Sequence, residues 1–216
     1  MPVFKQAKVK MPGISLIEKI DGIRKIYKDL DADVAHFQQA CGFECLKACG
    51  HCCENPRIEI TELEMLPIAA ALLEQGTAED FYARAEQQDF KGRCIFFEPE
   101  LKLGAPGHCG IYEHRPLICR LFSSSGSTDK SGNTRLVVCS LIKETQSACF
   151  QQASADVLAG RLVAPVMGHY NMRVMAVDPE LARENFSINK AFKRALERIF
   201  MHEKLSGIGL SAFVKE

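Results

Sequence analysis

Cysteines crowd one short stretch of the chain, CLKACGHCCENP at residues 45–56. Cys45, Cys49, Cys52 and Cys53 fall within nine residues, and Cys49 and Cys52 form a CxxC pair around Gly50. Backbone amides in such a turn can point toward the sulfurs. Zinc and iron both favour thiolate ligands, and ligands that are close in sequence lower the entropy cost of closing a site. The spacing therefore predicts a metal site.

The other cysteines divide into two groups. Four lie singly beside predicted strands or turns, so the fold can bring them back to the first group: Cys94, Cys109, Cys119 and Cys139. Cys41 and Cys149 are expected to be small buried core residues instead. Because adjacent side chains point in different directions, we expect Cys52 and Cys53 to bind one ion together only with difficulty, although a second ion or a cluster could use both.

Composition excludes several functional classes. The chain has 216 residues, 47% of them hydrophobic and 25% charged, which is typical of a globular protein. Its 27 basic residues equal its 27 acidic residues, so we expect no nucleic-acid partner. No apolar run approaches the roughly 20 residues of a membrane helix, and the basic N-terminal stretch has no apolar segment behind it. We therefore expect a cytoplasmic protein without a membrane partner, in which ten cysteines do not form disulfides.

Helical periodicity predicts the elements that flank the cysteines. An apolar stripe with spacings of four and three runs from Leu16 to Cys41, which predicts one long helix, or two in register if Asp33 caps a second segment. Thr61 and Glu64 form a capping-box pattern that opens a helix closed by Gly76. Thr77 to Asp89 is predicted as a further helix. These helices deliver the chain into and out of the cysteine turn.

The middle of the chain carries the β signals. Residues 94–97 and 109–112 are predicted to form a hairpin, followed by a mobile loop at 123–133 and a strand that ends at Cys139. From Glu144 onward the pattern is again helical, and Asp178 and Pro179 predict the start of a last helix, with Ile188 on its inner face. The predicted fold class is mainly α with a small β ribbon (α+β). We expect a single metal-stapled domain over 1–216, with a cysteine-cluster region at 45–140 between N- and C-terminal helices.

Three strings resemble one known family. CGHCCENP, GRCIFF and GHCGIYEHRPLICRLF are similar to the motifs of the CxxCxxCC family, the YkgJ-like cysteine cluster proteins, which are described as proposed zinc- or iron-chelating domains. The resemblance spans about residues 45–140, and its most specific part runs from Cys109 to Arg120. The family opens with C-x-x-C, whereas three residues separate Cys45 and Cys49 here. The resemblance implies eight metal ligands: Cys45, Cys49, Cys52, Cys53, Cys94, Cys109, Cys119 and Cys139.

Charged and aromatic neighbours complete the candidate site. Arg115 and Arg120 are candidates to steady the excess negative charge of several thiolates, or are ordinary surface ion pairs. Pro116 is predicted to start a helical turn that carries Cys119 inward. Histidines near the proposed ligands could replace a thiolate, although each is more often a solvated loop residue: His51, His108 and His114.

The leading hypothesis is a cytosolic metal-binding protein that holds zinc or iron, the iron as an iron-sulfur cluster. The alternative is an iron-sulfur redox or radical-type enzyme, because Cys45, Cys49 and Cys52 have a C-x3-C-x2-C spacing that resembles the cluster motif of radical S-adenosylmethionine enzymes. Those enzymes resemble βα-barrels, and no strand–helix alternation is predicted here. A thiol oxidoreductase would need a βαβ context, and a nucleic-acid-binding zinc module would need a basic face.

Overall fold

The computed structural model describes residues 14–45, 49–87, 92–99 and 107–207. Within these ranges the helices are α1 Leu16–Cys41, α2 Glu62–Glu74, α3 Ala78–Gln87, α4 Leu117–Leu121, α5 Ser140–Thr145, α6 Ser147–Leu158, α7 Met167–Val177 and α8 Ile188–Ser206. The strands are β1 Glu59–Thr61, β2 Phe97–Glu98, β3 His108–Cys109, β4 Ser125–Thr128, β5 Thr134–Val137 and β6 Asn185–Ser187. The prediction of a mainly α fold with a small β component is confirmed.

Helix α1 is continuous, so the alternative of two segments is wrong. Ser15 begins it with a capping box, accepting from the Glu18 amide at 3.2 Å while the Glu18 carboxylate accepts from the Ser15 amide at 2.7 Å. Gly42, with φ of 74°, ends it in the left-handed conformation that favours glycine. Asp33 caps no second segment, and its carboxylate accepts a hydrogen bond from Tyr170 on α7.

The main core lies between α1, α2 and α8. Every residue of α2 from Glu62 to Leu72 is buried, because the helix packs against other elements all round. The Thr61 hydroxyl caps it by accepting from the Glu64 amide at 3.2 Å, as the capping-box pattern predicts. Glu62 is buried as a charge-paired carboxylate, accepting from Arg194 at 2.9 Å and from Arg198. This pairing supplies the partner that a buried charge needs.

A second cluster of buried residues forms at the C-terminal end of α1. It joins that helix to β5, α5 and α6, and contains Phe37, Cys41, Phe43, Leu136, Val138, Ile142, Ala153, Val157 and Ala164. Phe37 and Phe43 meet edge to face, with ring centroids 6.0 Å apart. We refer to these nine residues as the second cluster.

The strands described form three two-stranded antiparallel sheets, β1 with β6, β2 with β3, and β4 with β5. The predicted hairpin is present, but its strands are only two residues long each. The predicted loop at 123–133 is wrong in its first half, because 125–128 form β4 and only the turn around Asp129 and Gly132 loops out. Serines and glycine lack the apolar alternation that marks a strand, so composition alone indicated a loop.

The predicted start of the last helix is also wrong. Asp178 accepts hydrogen bonds from the amides of Glu180 and Leu181, but the turn it caps does not continue as helix. Residues Asn185–Ser187 instead pair with β1 as strand β6. Ser187 then caps α8 by accepting from the Lys190 amide at 3.4 Å. The inner face of α8 is buried as predicted, including Ile188 and Phe192. Among the described helices, none combines the length and apolar character of a membrane span.

Candidate metal centre

A tight turn presents the first cysteines. Residues His51–Glu54 form a single 3-10 turn, in which the Cys53 amide donates to the Gly50 carbonyl at 2.9 Å. The Gly50 amide in turn donates to the Gly107 carbonyl at 3.1 Å. A side chain at Gly50 would meet this carbonyl, since a Cβ there would lie 2.6 Å from the Gly107 oxygen. Glycine therefore lets the cysteine turn lie directly against the hairpin.

The hairpin brings two more cysteines to the turn. Cys109 pairs with Phe97 across β2 and β3. The Cys94 amide donates to the Cys53 carbonyl at 3.1 Å, which ties the segment before β2 to the 3-10 turn. The Phe97 amide donates back to the Cys94 carbonyl at 3.1 Å. Backbone hydrogen bonds therefore hold Cys53, Cys94 and Cys109 in one neighbourhood.

Helix α4 adds a fifth cysteine. Pro116 occupies the position before the first residue of α4, as the sequence predicts, and Cys119 lies one turn further in and is buried. Its neighbours Leu117 and Leu121 are fully buried in the main core. This packing fixes the depth and direction of the Cys119 side chain.

Five thiols line one small enclosed cavity. They belong to Cys52, Cys53, Cys94, Cys109 and Cys119, and the other walls are Phe96, Ile111, Arg115, Pro116 and Ile188. The pKa of Cys53 is shifted by the neighbouring thiols of Cys52, Cys94 and Cys109, and that of Cys52 by the thiol of Cys119, so these sulfurs are close neighbours. Cys52 and Cys53 both line this cavity, although successive side chains in a 3-10 turn are about 120° apart. That the two bind one ion together only with difficulty stays a prediction.

Hydrogen bonding separates the sulfurs that tolerate charge from those that do not. Hydrogen bonding with the Cys119 and Cys53 thiols lowers the pKa of Cys52, and hydrogen bonding with the Cys53 thiol lowers the pKa of Cys109, so Cys52 and Cys109 share the single Cys53 proton. The pKa of Cys53 is raised by its hydrogen bonds to Cys109 and Cys52, and that of Cys119 by its bond to Cys52 and by burial. Nearby Arg115 favours the negative charge on Cys52 and Cys109. The cavity therefore stabilises thiolate on some sulfurs and thiol on the others.

The donor set fits a soft metal. Apart from Arg115, the polar side chains that line the cavity are the five thiols, and no carboxylate or imidazole is among its lining residues. Such a set suits zinc or iron and does not suit magnesium or calcium, which prefer oxygen. Across the described ranges, no three or more His, Cys, Asp or Glu side chains are already arranged to hold an ion. Binding would therefore draw the sulfurs from their mutual hydrogen bonds toward one point.

Comparison with known families agrees with the donor chemistry. Residues 44–150 match the family model CxxCxxCC, whose description reads "Putative zinc- or iron-chelating domain". This part of the chain is therefore similar to a CxxCxxCC domain. No curated protein and no solved structure is a significant match. The resemblance predicted from the cysteine strings is thus confirmed, whereas α7 and α8 lie outside the matched range.

Two predicted ligands border the cavity without lining it. Cys45 interacts with the Tyr112 hydroxyl, and its pKa is raised by burial and by the neighbouring Cys49. The Cys49 sulfur accepts from the His51 amide at 3.4 Å, and its backbone forms a bridge with His108. Cys45 therefore lies near Cys49, Cys52 and Arg115, and we refer to the place of Cys45 and Cys49 beside the cavity as its rim.

The remaining cysteines of the chain lie elsewhere. Cys139 precedes α5, where its amide donates to the Phe122 carbonyl at 2.8 Å, and its side chain packs against the second cluster. Cys41 is buried in the second cluster, as predicted. Cys149 is exposed, so the prediction that it is a core residue is wrong. It lies in the first turn of α6, where Phe150 packs against the second cluster in its place.

The two predicted arginines differ in their relation to the cavity thiols. Arg115 lines the cavity, stacks 3.6 Å from the Tyr112 ring centroid, and donates to the carbonyls of Tyr112 at 2.9 Å and Cys119 at 3.4 Å. Arg120 is buried away from the cavity and pairs with Asp31. It also donates to the Arg115 carbonyl at 2.6 Å, so it stabilises the backbone at Arg115 without lining the cavity.

The three histidines are held outside the thiol cavity. His51 is half exposed, with its Nδ1 3.7 Å from a Glu54 oxygen. His114 Nε2 lies 3.2 Å from the Gln75 amide nitrogen. His108 occupies β3 next to Cys109, and its neighbour in the ladder is Glu98. Sequence reasoning missed the apolar walls, above all Ile188, because nothing in the local pattern indicates that α8 reaches the cysteines.

Proposed function

We propose that the chain is a metal-binding protein whose thiol cavity holds zinc or an iron-sulfur cluster. One observation carries the proposal: five thiols from three separate segments of the chain line a single cavity that has no oxygen ligand. Free buried cysteines are common, but five that line one cavity where a turn, a hairpin and a helix meet are not explained by packing alone. A metal ion or cluster explains why all five converge.

The proposed ligand set has two tiers. Cys52, Cys53, Cys94, Cys109 and Cys119 line the cavity and form the first. Cys45 and Cys49 at the rim are proposed to complete the set, since a cluster or a second ion would use more than four sulfurs. Cys139 is the remaining proposed ligand. It is supported by the family resemblance, whereas its packing against the second cluster favours a structural role.

Two features of the environment support this function. Arg115 is positioned to offset the excess negative charge of several thiolates, and it donates to the Cys119 carbonyl beside a proposed ligand. The strands beside the cavity are two residues long, and the other connections around it are turns, so few regular backbone hydrogen bonds hold this region. Metal binding would therefore contribute folding free energy to this region.

The free cysteines and the charge balance support a cellular location and a type of partner for the protein. Ten free cysteines suit a reducing compartment, which supports a cytoplasmic protein. Equal numbers of acidic and basic residues, 27 of each, support a metal ion rather than nucleic acid as the partner.

The test is anaerobic purification followed by metal analysis, acid-labile sulfide analysis and a visible spectrum. Colourless protein that contains zinc without sulfide would establish a zinc site. Brown protein with iron and sulfide would establish a cluster. Protein that contains neither metal, and that takes up neither after reconstitution with zinc or with iron and sulfide, would overturn the proposal.

A further inference from the structure

A buried amide from outside the matched range holds the segment that carries Cys94. Asn189, the second residue of α8, is only 2% exposed. Its side-chain oxygen accepts a hydrogen bond from the Ile95 amide at 2.9 Å, and its side-chain nitrogen donates to the Arg93 carbonyl at 3.0 Å. These two backbone groups are the immediate neighbours of Cys94 on either side. Asn189 therefore brackets one of the five cavity thiols.

Other contacts fasten the same segment to the same helix. Ile188, the residue before Asn189, lines the thiol cavity. Phe96 lies two residues after Cys94, and Phe192 lies three residues after Asn189. Their rings meet edge to face with centroids 5.3 Å apart. The segment at 92–96 has no strand or helix of its own, so these contacts replace a regular hydrogen-bond ladder. Cys94 thus depends on α8 for its place.

The side-chain amide of Asn189 has the acceptor and the donor that these two backbone groups need. A buried backbone amide and a buried carbonyl each need a partner, and asparagine is the side chain that supplies one acceptor and one donor from a single planar group. An apolar residue at position 189 would leave both backbone groups unpaired. A carboxylate would satisfy the Ile95 amide but would place its second oxygen against the Arg93 carbonyl.

We propose that Asn189 is a positioning residue of the thiol centre, which sets the place of the Cys94 sulfur. The proposal rests on the metal-binding function proposed above, and it extends the centre beyond residues 44–150 to α8. Residues that orient metal ligands change metal affinity by about 10- to 100-fold when they are replaced. Asn189 acts on the metal only through the backbone on both sides of Cys94.

Asn189→Ala and Asn189→Asp test the proposal, with Asn185→Ala as the matched control, because Asn185 is an exposed asparagine four positions earlier on β6. Zinc affinity is measured by competition with a chromophoric chelator. Alanine should weaken zinc binding by about tenfold or more, aspartate by less, and the control not at all. In the Asn189→Ala background, Cys94→Ser should cause a smaller further loss than it does in the wild type. Wild-type affinity in Asn189→Asp and Asn189→Ala would overturn the proposal.

Amide hydrogen exchange separates this proposal from the proposed function. At saturating zinc, the Ile95 amide should exchange faster in Asn189→Ala than in the wild type, and at the wild-type rate in Asn185→Ala. If the alanine variant does not fold, the affinity and exchange of Asn189→Asp decide. A wild-type protein that binds neither zinc nor iron overturns the function and this inference together. A wild-type protein that binds metal, with position 189 variants that bind it equally well, overturns this inference alone.

Discussion

Two groups of cysteines in this chain have contrasting surroundings. In the cavity, five thiols lie together where a 3-10 turn, a hairpin and a short helix meet. Around the second cluster, Cys41 packs among phenylalanine rings and aliphatic side chains, Cys139 lies at its edge, and Cys149 is exposed. Identical side chains therefore lie in two kinds of environment. Convergence of thiols from distant segments supports the proposed metal site, whereas burial of a single thiol is explained by packing.

Backbone support differs between the two regions as well. The second cluster is carried by α1, α5 and α6, whose helical hydrogen bonds are formed within each element. The cavity is carried by turns that are tied together through single contacts, such as those from Gly50 to Gly107 and from Cys94 to Cys53. Removal of the metal should therefore affect the cavity region far more than the second cluster. The predictions below test this contrast.

The largest effect is expected from replacing cavity cysteines. Cys52→Ser, Cys109→Ser and Cys119→Ser should each lose most of the bound metal, because each removes a sulfur from the shared cavity. Cys49→Ser should also lose metal if the rim completes the site. Metal content per chain in the purified variants checks this. If all four variants kept full metal content and wild-type melting, the ligand assignment would be wrong.

Glycine-to-alanine substitutions compare the closely packed cysteine turn with an exposed helix position. Gly50→Ala would place a Cβ 2.6 Å from the Gly107 oxygen and 2.8 Å from the Phe97 ring. Forcing these groups apart should cost about 1–3 kcal/mol and lower the metal content. Gly168→Ala is the control, because a Cβ at this exposed position on α7 meets nothing within 4 Å. It should leave stability unchanged or raise it by up to about 1 kcal/mol. Equal melting of the two variants would contradict the account of the turn.

Limited proteolysis after chelation tests the contrast in folding. Chelator treatment should open residues 45–125 to protease before the last helix, α8 Ile188–Ser206, because the turns lose the metal that offsets their chain entropy. Mass spectrometry of the early fragments locates the first cuts. Uniform resistance after verified metal removal would show that the cavity region folds without metal.

The smallest effects are expected at Cys41 and Cys149. Cys41→Ala should keep full metal content and cost about 1 kcal/mol, since it trims a buried side chain of the second cluster. Cys149→Ala should change stability by no more than about 0.5 kcal/mol, because the residue is exposed. Metal analysis and thermal melting of both variants check these values. A folded Cys41→Ala protein that is depleted of metal would mean that α1 supplies a ligand.

Local patterns predicted much of the architecture. The apolar stripe of α1 and the Thr61 capping box are properties of neighbouring residues, and both are confirmed. The start of the last helix was wrong because pairing of β6 with β1, more than a hundred residues apart, overrides the local signal at Asp178. Strand β4 was missed because its serines and glycine pair with β5 without an apolar face.

The candidate site was predictable in its chemistry and only partly in its geometry. Cysteine spacing and the string from Cys109 to Arg120 indicated the thiols, and five of the eight proposed ligands line one cavity. The shared cavity of Cys52 and Cys53 could not be predicted, because it depends on a 3-10 turn that has no sequence signature here. The contribution of Asn189 and Ile188 depends on how α8 packs, which no local pattern reveals.

X-ray absorption spectroscopy of the metal-loaded wild-type protein identifies the atoms that bind the metal. If the thiol cavity is the metal centre, the first shell is sulfur, at about 2.3 Å if the metal is zinc. The same shell should persist in Cys149→Ser, whereas Cys109→Ser should bind little metal or replace a sulfur by a lighter atom. A wild-type shell of nitrogen and oxygen without sulfur would contradict the claim that the thiol cavity is the metal centre.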